Sequence, residues 1–171
     1  MRIVLLFCFI AVISCSKEQI VHAPAGMSEQ QNALKVSKDR ARGLNELERK
    51  QIESWISKQE QKYYPMPLNY WVNIENLHQR NPRKSDEKIT YMYEISDFFG
   101  TKIYEKPKGY QEVTLAKFPN DIKAVEDALR FLKSSEEATL LVPSVLAYGI
   151  YGDGDRITHD LPLIIKLKVL Q

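Results

Sequence analysis

The run Leu140-Leu-Val-Pro-Ser-Val-Leu-Ala-Tyr-Gly149 ends on a tyrosine set between Ala147 and Gly149. A polar Gly/Asp loop follows and leads into the alternating tail Leu163-Ile-Ile-Lys-Leu-Lys-Val169. The apolar residues up to Val142 read as a strand, Pro143 and Gly149 bracket a short turn, and that turn presents the Tyr148 ring at the start of a long loop. Elsewhere the chain offers no nucleophile, base and orienting group at a spacing that covalent catalysis uses, and no phosphate-binding loop. Gly152-Asp-Gly-Asp155 lacks the further oxygen ligands and closing Glu of a calcium loop and reads as a turn. His22, His78 and His159 share no metal-ligand spacing. Both cysteines, Cys8 and Cys15, fall near the start, so the remaining chain can form neither an internal disulfide nor a thiolate metal site. No metal and no cofactor is expected. An aromatic hydroxyl amid apolar side chains is the chemistry left to this sequence.

The elements that must position Tyr148 follow from periodicity. Leu44, Leu47, Ile52, Trp55 and Ile56 form one broad apolar stripe, and Asn45 with Glu48 three residues later has the form of a capping box, so a helix is predicted from about residue 43 to 62. Pro65 and Pro67 close the helical region, and Tyr70, Val72 and Ile74 alternate as a strand. The mixed-charge run Arg83 to Lys88 reads as a solvated loop. Ile89, Tyr91, Tyr93 and Ile95 alternate against Thr90, Met92 and Glu94, and Gly100 turns the chain back through Ile103 and Tyr104 as a hairpin. Val113 and Leu115 mark a further strand; Pro119-Asn120 opens a helix carrying Ile122, Val125, Leu129 and Leu132 at helical spacing. About five strands and one central helix predict an α+β domain, an antiparallel sheet with one face under a helix and the other wet.

That order of parts, with the Pro143-Ser-Val-Leu-Ala-Tyr-Gly149 motif, resembles the C-terminal half of FKBP-type peptidyl-prolyl cis-trans isomerase domains. The resemblance covers about Asn69 to Gln171. It implies an FKBP-like antiparallel sheet wrapped on one short central helix, and isomerisation of X-Pro bonds, a reaction that needs no nucleophile. It further implies that Tyr148 is the rim tyrosine that hydrogen-bonds the bound chain, with Ala147 before it. Tyr93 falls on the pocket tyrosine of the central strand, Ile122 on the pocket isoleucine at the helix start, Val125 on the pocket floor and Ile157 on the aliphatic residue over the proline. Several positions depart from the family. Ile103-Tyr104 replaces a Phe-Asp pair, so an aromatic wall and an acidic contact are missing; Val125 stands where Trp is frequent; and Ile165 replaces a Phe of the last strand. The loop's paired prolines read Thr158-His159.

The N-terminus carries an address. Met1-Arg2 precedes the apolar run Ile3 to Ile13, the length of a signal-peptide core and well short of the ~20 residues of a membrane-spanning helix. Val12-Ile13-Ser14-Cys15 is similar to a bacterial lipobox, which makes residues 1–14 a lipoprotein signal peptide and Cys15 the lipidated N-terminus. Residues 15–42, polar and free of Phe, Tyr and Trp, read as a flexible tether to the helix of 43–62 and the FKBP-like domain of 66–171. Ser16-Lys-Glu18 does not demand inner-membrane retention, so the expected position is the outer membrane of the bacterial cell envelope, with the domain in the periplasm or at the surface. Lys and Arg total 24 against 22 Asp and Glu without a basic block, which excludes nucleic acid as an expected partner. The whole chain is similar to the lipoprotein branch that includes gliding-motility-associated peptidyl-prolyl isomerases. Two functions follow: an anchored isomerase that assists folding of exported proteins, or a catalytically weak FKBP-like module that binds an envelope partner in a gliding or secretion machine. The leading helix either packs on its own domain or pairs with a second copy as a homodimer.

Overall fold

The computed structural model describes residues 25–118 and 122–171, with side chains in the first helix described from Gln30 onward. Cys8, Cys15, the signal peptide, His22 and the Pro119-Asn120 helix start lie outside the described residues. Two compact units divide the chain, Met1–Lys38 and Asp39–Gln171. The first contributes the opening turns of helix α1 (Ala25–Ile56), whose side chains from Gln30 to Lys38 are exposed.

Six strands form one antiparallel sheet: β1 (Tyr64–Pro65), β2 (Trp71–Val72), β3 (Lys88–Ser96), β4 (Lys108–Thr114), β5 (Glu137–Val142) and β6 (Leu163–Val169). Their spatial order is β1-β2-β5-β6-β3-β4, and helix α2 (Lys123–Leu129) lies between β4 and β5 in the chain. The strand β3 shows why the alternation was legible. Ile89, Tyr91, Tyr93 and Ile95 are all buried, while the residues between them are half-exposed. That face joins Ala138, Leu140 and Val142 of β5, alternate residues of β6, and Ala124, Val125, Ala128 and Leu129 of α2 in the main core.

The opposite face is not wet throughout. Trp71, Leu141 and Ile164 form a second cluster with Ile52, fringed by Trp55, Ile56, Tyr63 and Phe98. Ring edges of Tyr63 and Phe98 meet Trp55 at centroid distances of 5.8 and 5.5 Å. The C-terminal half of α1 therefore packs on its own domain. This helix differs from the expected one in three respects. It starts at Ala25, because the Gln, Ala, Leu, Lys and Arg residues of the expected tether are good helix formers and no Pro after Pro24 interrupts them, and it ends at Ile56. Asn45 consequently sits inside the helix and caps nothing. Leu47 is 67% exposed, whereas Glu48, one residue and 100° further round, is 3% exposed and points inward.

The smaller elements also depart from the periodicity. Only Trp71 and Val72 form ladder pairs in β2; at Asn73 the side-chain Oδ1 accepts the Thr139 N–H at 2.8 Å. Past Gly100 the chain makes a single bridge, Ser96 to Lys102, and Ile103 and Tyr104 precede β4. Leu115 is buried in a short helical turn, Leu115–Lys117, not in a strand. Leu132 is buried beyond the end of α2. Arg83 is docked, its Nε donating to the Leu132 carbonyl at 2.9 Å, so the charge run is anchored at one end.

Truncation of Ile52 leaves a void among Trp71, Leu141 and Ile164, so Ile52→Ala should cost about 3 kcal/mol in denaturant unfolding, whereas Leu47→Ala should stay within about 0.5 kcal/mol. Equal losses would contradict the packing of α1 on the sheet. A second expectation concerns pH. Burial pushes the Glu48 carboxyl above its ordinary 4.5, against two hydrogen bonds from Ser144 that lower it, and the nearby Asp160 charge adds to the rise. Ionisation is thus harder in the folded chain than in the unfolded one, and the stability tied to this proton is lost as pH rises through the folded-state value. The Tm of the native chain relative to Glu48→Gln should therefore fall as the pH is raised from below 4.5 through the folded-state value.

Candidate functional site

The turn that carries Tyr148 is built on Ser144. After β5, the buried Pro143 leads into the single helical turn Ser144–Leu146. The Ser144 carbonyl accepts the N–H of Ala147 at 2.9 Å and that of Gly149 at 2.8 Å, which closes the chain around Tyr148. Gly149 and Gly152 take φ of +56° and +67°. At Gly152 a Cβ would stand 2.1 Å from the Ile157 carbonyl oxygen, so glycine alone fits where the loop folds back on itself.

Asp153 organises that loop. Its Oδ1 accepts the amides of Asp155 at 3.0 Å and Ile157 at 2.9 Å, and its Oδ2 accepts the Tyr104 hydroxyl hydrogen. Desolvation alone would raise the Asp153 carboxyl, but the bonds from Tyr104 and the two amides, with the Lys108 charge, hold it below its ordinary 3.8. Desolvation, then the bond to Asp153 and its charge, push the Tyr104 phenol up to about 12. Lys108 lies between the two tyrosines: its Nζ is 3.4 Å from the Tyr148 hydroxyl oxygen and 4.4 Å from the Tyr104 ring centroid. The Arg156 guanidinium stands 5.9 Å from the same ring centroid and donates to the Ile103 carbonyl at 3.1 Å.

The residues singled out from sequence fall into two groups. Tyr148, Ile103 and Tyr104 are half-buried against the core and face the loop. Tyr93, Ile122, Val125 and Ile165 are no more than 1% exposed, Ile157 is 3% and Ala147 7%. These six belong to the main core. Tyr104 makes an acidic contact through Asp153. Rings also stack along β3. Tyr110 of β4 stacks on Tyr91 at 5.3 Å and on Tyr93 at 6.3 Å, and Phe118 stacks on Tyr91 at 5.7 Å. Sequence reasoning did not find Lys108, Asp153, Arg156, Tyr110 or Phe118. The partners are 40 to 53 residues apart in the Lys108–Tyr148, Tyr104–Asp153 and Ile103–Arg156 contacts, and no local pattern joins them. Among the described residues no group of three or more His, Cys, Asp and Glu is placed to hold a metal ion, and no helix is long and apolar enough to cross a membrane.

The sequence matches no family model, and no curated protein matches it. Solved structures do. FkpA from Escherichia coli superposes with a TM-score of 0.55 at 15% identity, over 85% of this chain and 70% of that one. A peptidyl-prolyl cis-trans isomerase from Pseudomonas syringae pv. tomato gives 0.52 at 17% identity, over 74% of this chain and 93% of that one. The fold is thus an FKBP-like α+β fold with an N-terminal helix, the fold of proteins that include peptidyl-prolyl isomerases.

The Tyr104–Asp153 bond is testable directly. Asp153→Asn removes the charge that opposes phenolate formation, so one tyrosine should move from about 12 toward its ordinary 10 in a spectroscopic titration of native against variant chain. An unchanged titration would exclude the contact.

Proposed function

We propose that this chain is a peptidyl-prolyl cis-trans isomerase of FKBP type, acting on proline-containing stretches of exported polypeptides. The observation that carries the reading is the seat of Tyr148: a hydroxyl held at the rim of an FKBP-like fold, with Lys108 donating to its oxygen and Tyr93, Ile122, Val125 and Ile157 packed beneath.

The chemistry suits such a surface. An X-Pro bond resists rotation by about 20 kcal/mol because twisting breaks amide resonance, and the twisted amide has less charge separation than the planar one. A dry, apolar seat for the proline ring therefore favours the twisted form, and a hydroxyl that binds a substrate carbonyl fixes the chain about which rotation occurs. Acceptance of a hydrogen bond from a cation polarises the Tyr148 hydroxyl and strengthens it as a donor. Removing that bond should cost roughly tenfold in kcat/KM, so Tyr148→Ala of the full chain, assayed by the cis-to-trans rate of short X-Pro peptides, should lose about that factor.

A partner-binding module is the second reading. It is favoured by the near-complete burial of Tyr93, Ile122, Val125 and Ile165 together with the exposure of Val145 (55%), Ile150 (57%) and Tyr151 (88%) beside the turn. A folded chain that leaves peptide rates unchanged would establish this reading over the isomerase. In either role the chain acts from a lipid anchor on Cys15 at the cell envelope, a proposal supported by the Val12-Ile-Ser-Cys15 sequence. Cys15→Ser should move the protein from the membrane to the soluble fraction; continued membrane association would refute the anchor.

A further inference from the structure

Ser144 is saturated with hydrogen bonds, and half of them come from a residue 96 positions away. Its N–H donates to Glu48 Oε2 at 2.7 Å and its hydroxyl to Glu48 Oε1 at 2.6 Å, while its carbonyl holds the amides of Ala147 and Gly149. Both oxygens of one carboxylate therefore grip the residue on which the Tyr148 turn is closed. A buried carboxylate is costly unless its oxygens are bonded, and a surface position for Glu48 was available one step round the helix, where Leu47 is exposed instead. The arrangement spends burial on an acid to hold a turn.

A second tie reaches the same turn. Gly149 accepts the Asp160 N–H at 2.9 Å, and the Asp160 carboxylate accepts Arg40 Nη2 at 2.7 Å. The two backbone groups of the residue after Tyr148 are thus linked, through Ser144 and through Asp160, to two side chains of α1. Arg40 is 64% exposed, so its pair contributes little alone; Glu48 is the inner and stronger tie.

We infer that Glu48 of helix α1 is a positioning residue that seats Tyr148 by gripping Ser144, an inference that rests on the isomerase reading of Tyr148. The helix is then part of the site's framework, although it stands outside the stretch that resembles the family. A carboxylate is required here because it offers acceptors to two donors at once; an amide offers one acceptor and turns a donor toward the other.

The test uses the full chain in detergent, native and with Glu48→Gln, Ser144→Ala or Tyr148→Ala. Amide hydrogen exchange is read at Ala147 and Gly149, with β3 and β6 amides as the internal standard, beside the isomerisation of X-Pro peptides. Glu48→Gln should speed exchange at Gly149 by at least about tenfold relative to β3 and lower kcat/KM by a similar factor, a loss that does not add to that of Tyr148→Ala. Ser144→Ala, which keeps the N–H but removes the hydroxyl, should give a smaller change of the same kind and carries the test if Glu48→Gln does not fold. Unchanged exchange at Gly149 would overturn the inference. So would β3 and β6 amides accelerating in step, which marks general destabilisation, or a kcat/KM loss that multiplies with that of Tyr148→Ala. Absence of isomerisation by the native chain would remove the isomerase reading, and the exchange rates would still decide whether Glu48 holds the turn.

Discussion

The pairing of β5 with β6 is the constraint from which the rest of the domain follows. In that ladder Leu140 faces Ile165, Leu141 faces Ile164 and Val142 faces Leu163, so three consecutive apolar residues on each strand meet three on the other. Successive side chains of a strand point to opposite faces, and a continuous apolar run therefore demands cover on both. The face of Leu140 and Ile165 is covered by α2 and the core around it. The face of Leu141 and Ile164 is covered by α1 through Ile52, with Trp71 beside it. Where β6 returns to strict alternation, from Ile165 to Val169, the intervening Lys166 and Lys168 are exposed and pair or mix with Glu94 and Glu137 across the sheet.

Cover by α1 has a consequence for the candidate site. A helix placed over the β5–β6 end of the sheet lies close to the segment that leaves β5, and that segment is the Pro143–Gly149 turn. The same packing that buries Ile52 brings Glu48, one turn earlier, onto Ser144. Burial of the apolar seam supplies the energy; the carboxylate uses the resulting proximity to fix the polar groups of Ser144 in a turn whose Leu146, Ala147 and Tyr148 pack on the main core. Opposite it, Asp153 does the equivalent work for the returning loop, binding two amides and the Tyr104 hydroxyl. Two carboxylates thus hold the two sides of the loop in which Tyr148 and Ile157 sit.

Much of the site's framework was legible. The alternation of β3 named Tyr91 and Tyr93 as inward-facing, and the Pro-Ser-Val-Leu-Ala-Tyr-Gly run located the turn and its tyrosine. Less legible were residues whose type argues against their place. Glu48 is charged and sits inside, Leu47 is apolar and sits outside, and a reading that ranks residues by type assigns them the wrong way round. The extent of α1 was missed for a related reason: its N-terminal part has no apolar stripe to reveal a period, yet its residues favour helix individually. The Lys108–Tyr148, Tyr104–Asp153 and Ile103–Arg156 contacts had no local signature because they join positions brought together only when the segment from Ile103 to Lys108 meets the long loop.

By itself the sequence determined the longer strands, the presence of the two helices and the inward face of β3, and where a glycine-bounded turn presents a tyrosine, because each of these depends on neighbours within about eight residues. Tertiary structure alone decided which charged side chains would be buried and with whom. Such a choice depends on long-range proximity, and a carboxylate becomes a clamp only when packing elsewhere delivers two donors to its oxygens and removes the water that would otherwise satisfy them.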